Sequence, residues 1–499
     1  MSLRPLWQQT LDELLEPHRV LLRRTWWAIL AALVLGLPLI WGQSSPVVSL
    51  ATLLMIGFMV APAGLWLTGR LRGLPIVPAI GLVDVPAFAI PIWSGSEAID
   101  YYTEQEVIGA CIAECVFLAF LLGATVILQK RFRPPATVLA LPDSIVGGTR
   151  KQTTLFLGLV GFACLFFVAV PADWAWRYVF QYFPNGVFTA ARTAATMAGA
   201  IGLLFLGMAH GRRELGGVRL VVYLSISILF LLGLGVSLLL SAFVLQLAIW
   251  IGGFVIGRGR VPWIALVSIL LLLNLMHHGK WEMRQRYWDQ FGGEFQPITP
   301  LAYPQYYREW FEAGLRELRA PDDFDSVESR ESILERASLV QMFLLAQRGT
   351  ATDTPYLRGE TYMVVPKLLV PRLLWPDKPR THLGQILLNV HFGRQTMEDT
   401  ARTYIAWGML AESWANFGTF GPPLLGLGLG LFLGAMTAIS RGVPMGSARF
   451  LLSAVVLYYA LNATQQVVSV WTTSLFQGFV VILLGLWILM RPIRVEPLP

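Results

Sequence analysis

The sequence predicts an all-α polytopic membrane protein with about twelve transmembrane helices and one large helical extracytoplasmic loop. Three observations predict it. The 499 residues are 55% hydrophobic and only 14% charged, too little polar surface for a soluble domain of this size. Apolar runs of about 18 residues or more recur along the chain. The basic residues behind the net charge of +7 fall at the ends of those runs rather than in one patch, so topology explains the charge better than nucleic acid does. Cys111, Cys115 and Cys164 lie inside expected spans and imply no disulfide framework.

Residues 1–24 read as a cytoplasmic amphipathic N-terminus, with Leu6, Leu11, Leu14 and Leu15 ahead of Arg19, Arg23 and Arg24. The first run, 25–41, lacks a small-residue cleavage site and is expected to remain as a signal anchor. Span two covers 46–67 and ends at Arg70 and Arg72. Residues 74–95 are apolar but carry Pro75, Pro78, Pro86 and Pro91 around Asp84, so their freed carbonyls need shelter from neighbouring helices or a partly re-entrant path. Counting this stretch as a span puts Asp100, Glu104 and Glu106 outside. After the span 107–128, it also puts Lys130, Arg131 and Arg133 inside, as the positive-inside rule asks.

Spans 153–170 and 187–208 flank a short loop whose Trp174, Trp176, Tyr178 and Tyr182 suit a membrane interface. The apolar stretch 220–256 is too long for one crossing at about 1.5 Å per residue, so it is a hairpin of two spans ending at Arg258 and Arg260. These spans and 261–277 complete the first part of the bundle, 25–277. Residues 278–403 then form a large periplasmic loop. Spans 417–439, 450–461 and 471–490 lie in the last part, 404–490, and 491–499 is a cytoplasmic tail.

The loop carries helical patterns. Tyr307, Trp310, Phe311, Leu315 and Leu318 share a stripe of a helix over 303–318. Asp325 with Glu328 resembles a capping box for a helix through Ile333, Leu334, Leu339, Met342, Phe343 and Leu345. From Pro355 onward, Pro366, Pro371, Pro376 and Pro379 impose extended, turn-rich backbone of the kind that lines a site.

Four pieces carry a resemblance: Pro371-Arg-Leu-Leu-Trp-Pro-Asp-Lys-Pro379 after Thr354-Pro-Tyr-Leu-Arg-Gly-Glu360, Gly279-Lys-Trp-Glu-Met-Arg284 with Tyr287-Trp288, and Glu412 with Asn416-Phe-Gly418. Together they resemble bacterial O-antigen or oligosaccharide repeat-unit polymerases of the Wzy type, most clearly over 261–434. The proline-rich 74–91 piece is similar to a feature of the same group. The resemblance implies a GT-C-like, multi-pass glycosyltransferase of the bacterial inner (plasma) membrane, and the count of spans with their basic ends puts both termini in the cytoplasm. Such an enzyme would move a growing glycan from undecaprenyl diphosphate to the non-reducing end of another undecaprenyl-diphosphate-linked repeat unit at the periplasmic face. The setting would be O-antigen, capsule or exopolysaccharide synthesis, with a chain-length regulator as a further partner beside the bilayer.

The chemistry can be set against the residues. Breaking an anomeric bond to a diphosphate puts negative charge on the leaving group, which guanidinium or ammonium groups stabilise, and the acceptor hydroxyl needs a base. Arg372 and Lys378, held between prolines, are candidate phosphate ligands. Lys280 and Arg284, four apart at the loop's start, form a candidate clamp, or snorkelling interfacial cations. Arg192, about a turn inside a span end, either faces the lipid diphosphate or pairs with an acid. Arg336 and Arg358 are weaker candidates that also read as solvated charge, and Tyr356 and Asn416 complete the substrate-binding set.

For the base, Glu412 stands alone in an apolar stretch, where a carboxylate is a better proton acceptor; the competing role is a helix cap or a pair with Arg402. Glu360 is the second choice. His382 and His391 read first as structural or exposed. Asp84 and Glu114 lie deeper, as functional acids or as partners of a buried arginine. No metal-ligand spacing, cofactor motif or phosphate loop is present; His277 and His278 are adjacent. Besides the polymerase, a ligase-like glycosyltransferase with the same donor and a polysaccharide or lipid transporter (flippase) remain open.

Overall fold

A computed structural model describes residues 5–40, 45–132, 136–238, 240–287, 296–319, 338–371, 374–375, 377–401 and 403–494. Among these, nine helices are long and apolar enough to cross a membrane. A tenth crossing results if Trp263–His278 and Lys280–Tyr287, bent by 50° at the break between them, are one span. The shorter apolar helix Ala448–Ala460 and the 22-residue helix Arg19–Ile40 occupy two more of the expected runs. By helix length and composition this is a polytopic helical membrane protein. The chain divides into two compact units, Met1–Trp7 with Pro142–Arg336 and Gln8–Leu141 with Ala337–Pro499.

In the first unit, the hairpin expected over 220–256 is present as Val218–Gly235 and Leu240–Arg258, turning through Leu238 at φ +56°. Asn185–Gly211 meets Leu240–Arg258 backbone to backbone: a Cβ on Gly253 would stand 2.3 Å from the Leu204 carbonyl oxygen, and one on Gly257 2.2 Å from that of Met208. Small residues allow this approach, which apolar burial alone does not drive between helices in lipid.

The loop helix Tyr303–Arg319 belongs to this unit, and its buried face differs from the expected stripe. Tyr303, Tyr306, Trp310, Ala313, Gly314 and Glu317 are buried, whereas Phe311 and Leu318 are 44% and 46% exposed. The reason lies in its polar tips. Trp310 Nε1 donates to Met276 O at 2.7 Å, and Tyr306 Oη donates to Val236 O at 3.0 Å. The helix therefore turns the aromatic residues that can satisfy carbonyls at span ends inward, a preference that apolar periodicity does not weigh. The proposed capping box at Asp325 and Glu328, with Ile333 and Leu334, lies outside the described residues.

In the second unit, the 28-residue Glu104–Arg131 helix is the spine. Gly421–Ile439 runs along it through Gly426, Gly430 and Gly434; a Cβ on Gly426 would lie 2.3 Å from Phe117 O. The proline-rich stretch crosses as Ile76–Asp84, a π-helical turn Val85–Ala89, and Ile90–Trp93. It is sheltered as expected, with 67% of its apolar window buried. Pro86 lies within the π-helical turn and Pro91 just after it, so the hydrogen-bond register changes where their N–H groups are missing.

Basic groups gather at one end of this unit. Arg19 donates to Trp66 O at 3.1 Å and pairs with Asp12 at 3.3 Å. Arg72 and Arg441 also act on Asp12, whose carboxyl burial nevertheless pushes above its ordinary range. Arg441 reaches Gln129 O. A small antiparallel sheet, Thr137–Ala140 with Arg491–Arg494, is an addition to the all-α expectation. Four residues per strand, alternating exposed and buried in the first, are too few to register as a strand pattern.

Elsewhere in this unit, Val340–Ala351, Glu360–Met363, Val365–Leu369 and Leu383–His391 form a cover. Val340–Ala351 buries Met342, Phe343, Leu344 and Ala346. The backbone after Pro355 is less extended than the prolines suggest: Glu360–Met363 and Val365–Leu369 are short helices, the second with Pro366 in its first turn. Leu383–His391 follows and packs, with both of these, on the Val468–Leu489 helix.

Candidate functional site

Glu412 and Asn416 sit four apart on the short helix Met409–Phe417, 0% and 1% exposed. Gly408 at φ +80° begins that helix and Gly418 at φ +56° ends it, left-handed positions that favour glycine. Glu412 Oε2 accepts from the Val468 N–H at 2.6 Å, the first turn of the last span, while Oε1 has no hydrogen-bond partner. Asn416 is a clamp. Its Nδ2 donates to Thr361 Oγ1 at 2.9 Å and to Glu412 O at 2.8 Å, and its Oδ1 accepts from Gly359 N at 2.9 Å.

The 354–360 motif is laid on this helix by its backbone. Leu357 N donates to Ala415 O and Arg358 N to Asn416 O, and the chain turns through Arg358 at φ +50° and Gly359 at φ +95°. Tyr356, 43% exposed, rests its hydroxyl on Gly418, where a Cβ would lie 2.9 Å away. Glu360 is exposed at the start of its helix. Burial, with Glu412 nearby, pushes the Tyr362 phenol well above its ordinary range, so that hydroxyl stays protonated.

The cations are distributed as follows. Lys378 Nζ donates to Leu368 O and Val370 O, both at 2.8 Å, and so closes the C-terminus of Val365–Leu369. Arg372, Arg336 and Arg402 lie outside the described residues. Lys280 and Arg284 belong to the first unit, both half-buried and four apart on Lys280–Tyr287, a separate helix bent by 50° from the preceding one rather than its continuation. Arg192 is exposed on Asn185–Gly211. The structure thus brings Glu412, Asn416, Tyr356 and Glu360 together, with Lys378 on the same cover. It places Lys280, Arg284 and Arg192 in the other unit.

The histidines have structural partners: His382 stacks on Tyr404 at 4.3 Å and meets Gln385, and His391 Nε2 lies 2.8 Å from Pro355 O. Sequence reasoning missed three contributing residues. Thr361 is the hydroxyl on the Asn416 amide, Thr464 donates to Asp84 Oδ1 at 2.7 Å, and Arg348 forks onto Glu106. The Arg348 guanidinium also lies 4.3 Å above the Tyr102 ring. For Arg348 a signal existed, since Thr103 and Glu106 form a capping box that fixes an acid beside the loop.

As arranged, Glu412 has no surface open to a substrate. The group holds the start of the last span through the Val468 N–H.

Compared with known proteins, the chain matches no family model, no curated protein and no solved structure. The class defined by fold is a polytopic helical membrane protein, with a set of short helices packed on the last long helix of its second unit.

Proposed function

We propose that the chain is a metal-independent, GT-C-like polymerase of undecaprenyl-diphosphate-linked repeat units with about twelve spans. In this reading the cover faces the periplasm and both termini lie in the cytoplasm. The observation that supports it most is the folding of the 354–360 motif onto the Glu412 helix. Two segments meet beside one buried acid, joined by the Gly359–Asn416 bond across 57 residues, and that acid would serve as base for an acceptor hydroxyl once uncovered. The gathering of Arg19, Arg72 and Arg441 at one end of the second unit supports a cytoplasmic assignment for that end. Arg372, Lys378, Lys280 and Arg284 would receive the departing diphosphate, and Lys378 would first release its helix carbonyls.

The test is reconstitution of the full chain with a lipid-diphosphate oligosaccharide. Products that grow in repeat-unit steps support the polymerase. A single transfer to a different acceptor supports the ligase-like reading, and movement of intact donor across the vesicle without new bonds supports a transporter.

A further inference from the structure

Asp84 and Glu114 face one another inside the second unit, 3% and 1% exposed. Asp84 is the last residue of Ile76–Asp84, where the chain passes into the π-helical turn, and Glu114 is in the body of Glu104–Arg131. Their carboxyls adjoin without a well-formed hydrogen bond between them. Thr464 Oγ1 donates to Asp84 Oδ1 at 2.7 Å. Asp84 Oδ2 and both oxygens of Glu114 have no hydrogen-bond partner, although all three are buried.

Nothing nearby among the described residues neutralises the pair. Cys111 and Cys115 are the other titratable groups close to Glu114. The helices Pro46–Leu67 and Gly421–Ile439, packed against Glu104–Arg131, carry no charged residue. On Val340–Ala351 the cation is Arg348, committed to Glu106, and on Met409–Phe417 the acid is Glu412, committed to Val468 N. Ala448–Ala460 starts near Arg449 and ends with Tyr458 and Tyr459. Two bare carboxylates in contact, away from water and without a cation, repel strongly. All the unpartnered atoms are acceptors, so what is missing is a positive charge or a proton.

There is room for it. A cavity of ≈ 20 Å³ is lined by Asp84, Glu114 and Thr464 together with Phe117, Met409 and Leu410. One water-sized guest needs about 10–15 Å³ on this measure. The π-helical turn beside Asp84 is the kind of local register change that recurs at functional positions in helices. We propose that Asp84, Glu114 and the Thr464 hydroxyl form a binding site for one exchangeable monovalent cation, a proton or a sodium ion. Because Thr464 donates to Asp84, Asp84 is the fixed acceptor and the exchanging charge is held at Glu114. The site stands apart from the sugar-transfer reading and holds whether or not that reading does.

Dicyclohexylcarbodiimide, which adds to protonated carboxyls in apolar surroundings, tests this on the full-length protein in sodium-free choline buffer, with the labelled peptide found by mass spectrometry. The expected result is label on Glu114. A rate that falls about fivefold or more between about pH 6 and about pH 9 identifies the proton. A similar fall on replacing choline by sodium at fixed pH identifies sodium. Glu114→Gln should abolish the label, and Asp84→Asn should keep it while altering its dependence on pH or sodium. Absence of label on Glu114 in the folded protein, or a rate indifferent to both pH and sodium, overturns the proposal.

Discussion

Glu412 Oε2 holds the Val468 N–H at 2.6 Å across 56 residues of sequence. The Val468–Leu489 helix has Val467 at its N-cap, a residue with no side-chain acceptor, so a distant carboxylate supplies the cap and opposes the positive end of the helix dipole. Capping and catalysis can be separated. Glu412→Ala removes both and should destabilise the protein by about 1–2 kcal/mol. Glu412→Gln keeps an acceptor oxygen but cannot take a proton. The expected outcome is an E412Q protein that melts near the parent temperature and accumulates single repeat units. Full-length chains made by E412Q would assign Glu412 to capping alone.

Arg348 donates from Nε to Glu106 Oε1 at 2.7 Å and from Nη2 to Tyr101 O at 2.9 Å, which ties the cover to the start of the Glu104–Arg131 spine. The forked geometry is one that lysine cannot reproduce. Arg348→Ala, Arg348→Lys and Glu106→Ala should each increase hydrogen exchange in 340–351 more than in the spans. In a double-mutant cycle the two alanine changes should be less than additive, because each removes the same contact. Strict additivity would mean that the pair contributes nothing.

Much of this was legible in sequence, for reasons that particular residues make clear. The hairpin at Val218–Gly235 and Leu240–Arg258 followed from length alone, because an apolar run that long cannot cross once. The proline-rich stretch was readable as a sheltered span because lipid leaves no other course to its carbonyls. What failed depended on pairings over long separations. The buried face of Tyr303–Arg319 was set by carbonyls at Val236 and Met276, which no local window contains. Lys378, a candidate phosphate ligand by its flanking prolines, also holds the carbonyls of Leu368 and Val370, a second role that no sequence pattern announces. At Glu412, the two readings open in sequence remain distinct chemical roles of the same oxygen pair.

Gly81 and Gly57 form a matched test of how the second unit packs. A Cβ on Gly81 would stand 2.0 Å from the Met59 carbonyl oxygen, whereas one on Gly57 would meet nothing within 4 Å. Gly81→Ala must push the Ile76–Asp84 helix off Pro46–Leu67, at a cost of about 1–3 kcal/mol for overpacking. Gly57→Ala should instead be neutral or stabilising by up to about 1 kcal/mol, through helix propensity. Thermal unfolding of the two purified variants checks the order, and equal melting temperatures would contradict the close approach.

Trp310 is fully buried and its indole N–H satisfies Met276 O near the end of the Trp263–His278 helix. Packing and hydrogen bonding are joined there in one side chain. Trp310→Ala should cost about 3–5 kcal/mol, the range for emptying a large aromatic site. Trp310→Phe restores most of the ring volume but leaves the carbonyl without its donor, at about 1–3 kcal/mol. Both changes should loosen Tyr303–Arg319 and the last turn of Trp263–His278 together, read by hydrogen exchange. If Trp310→Phe matches the parent in both segments, the Met276 bond is not what fixes the rotation of that helix, and the observed burial of Tyr303 and Tyr306 must be carried by ring packing alone.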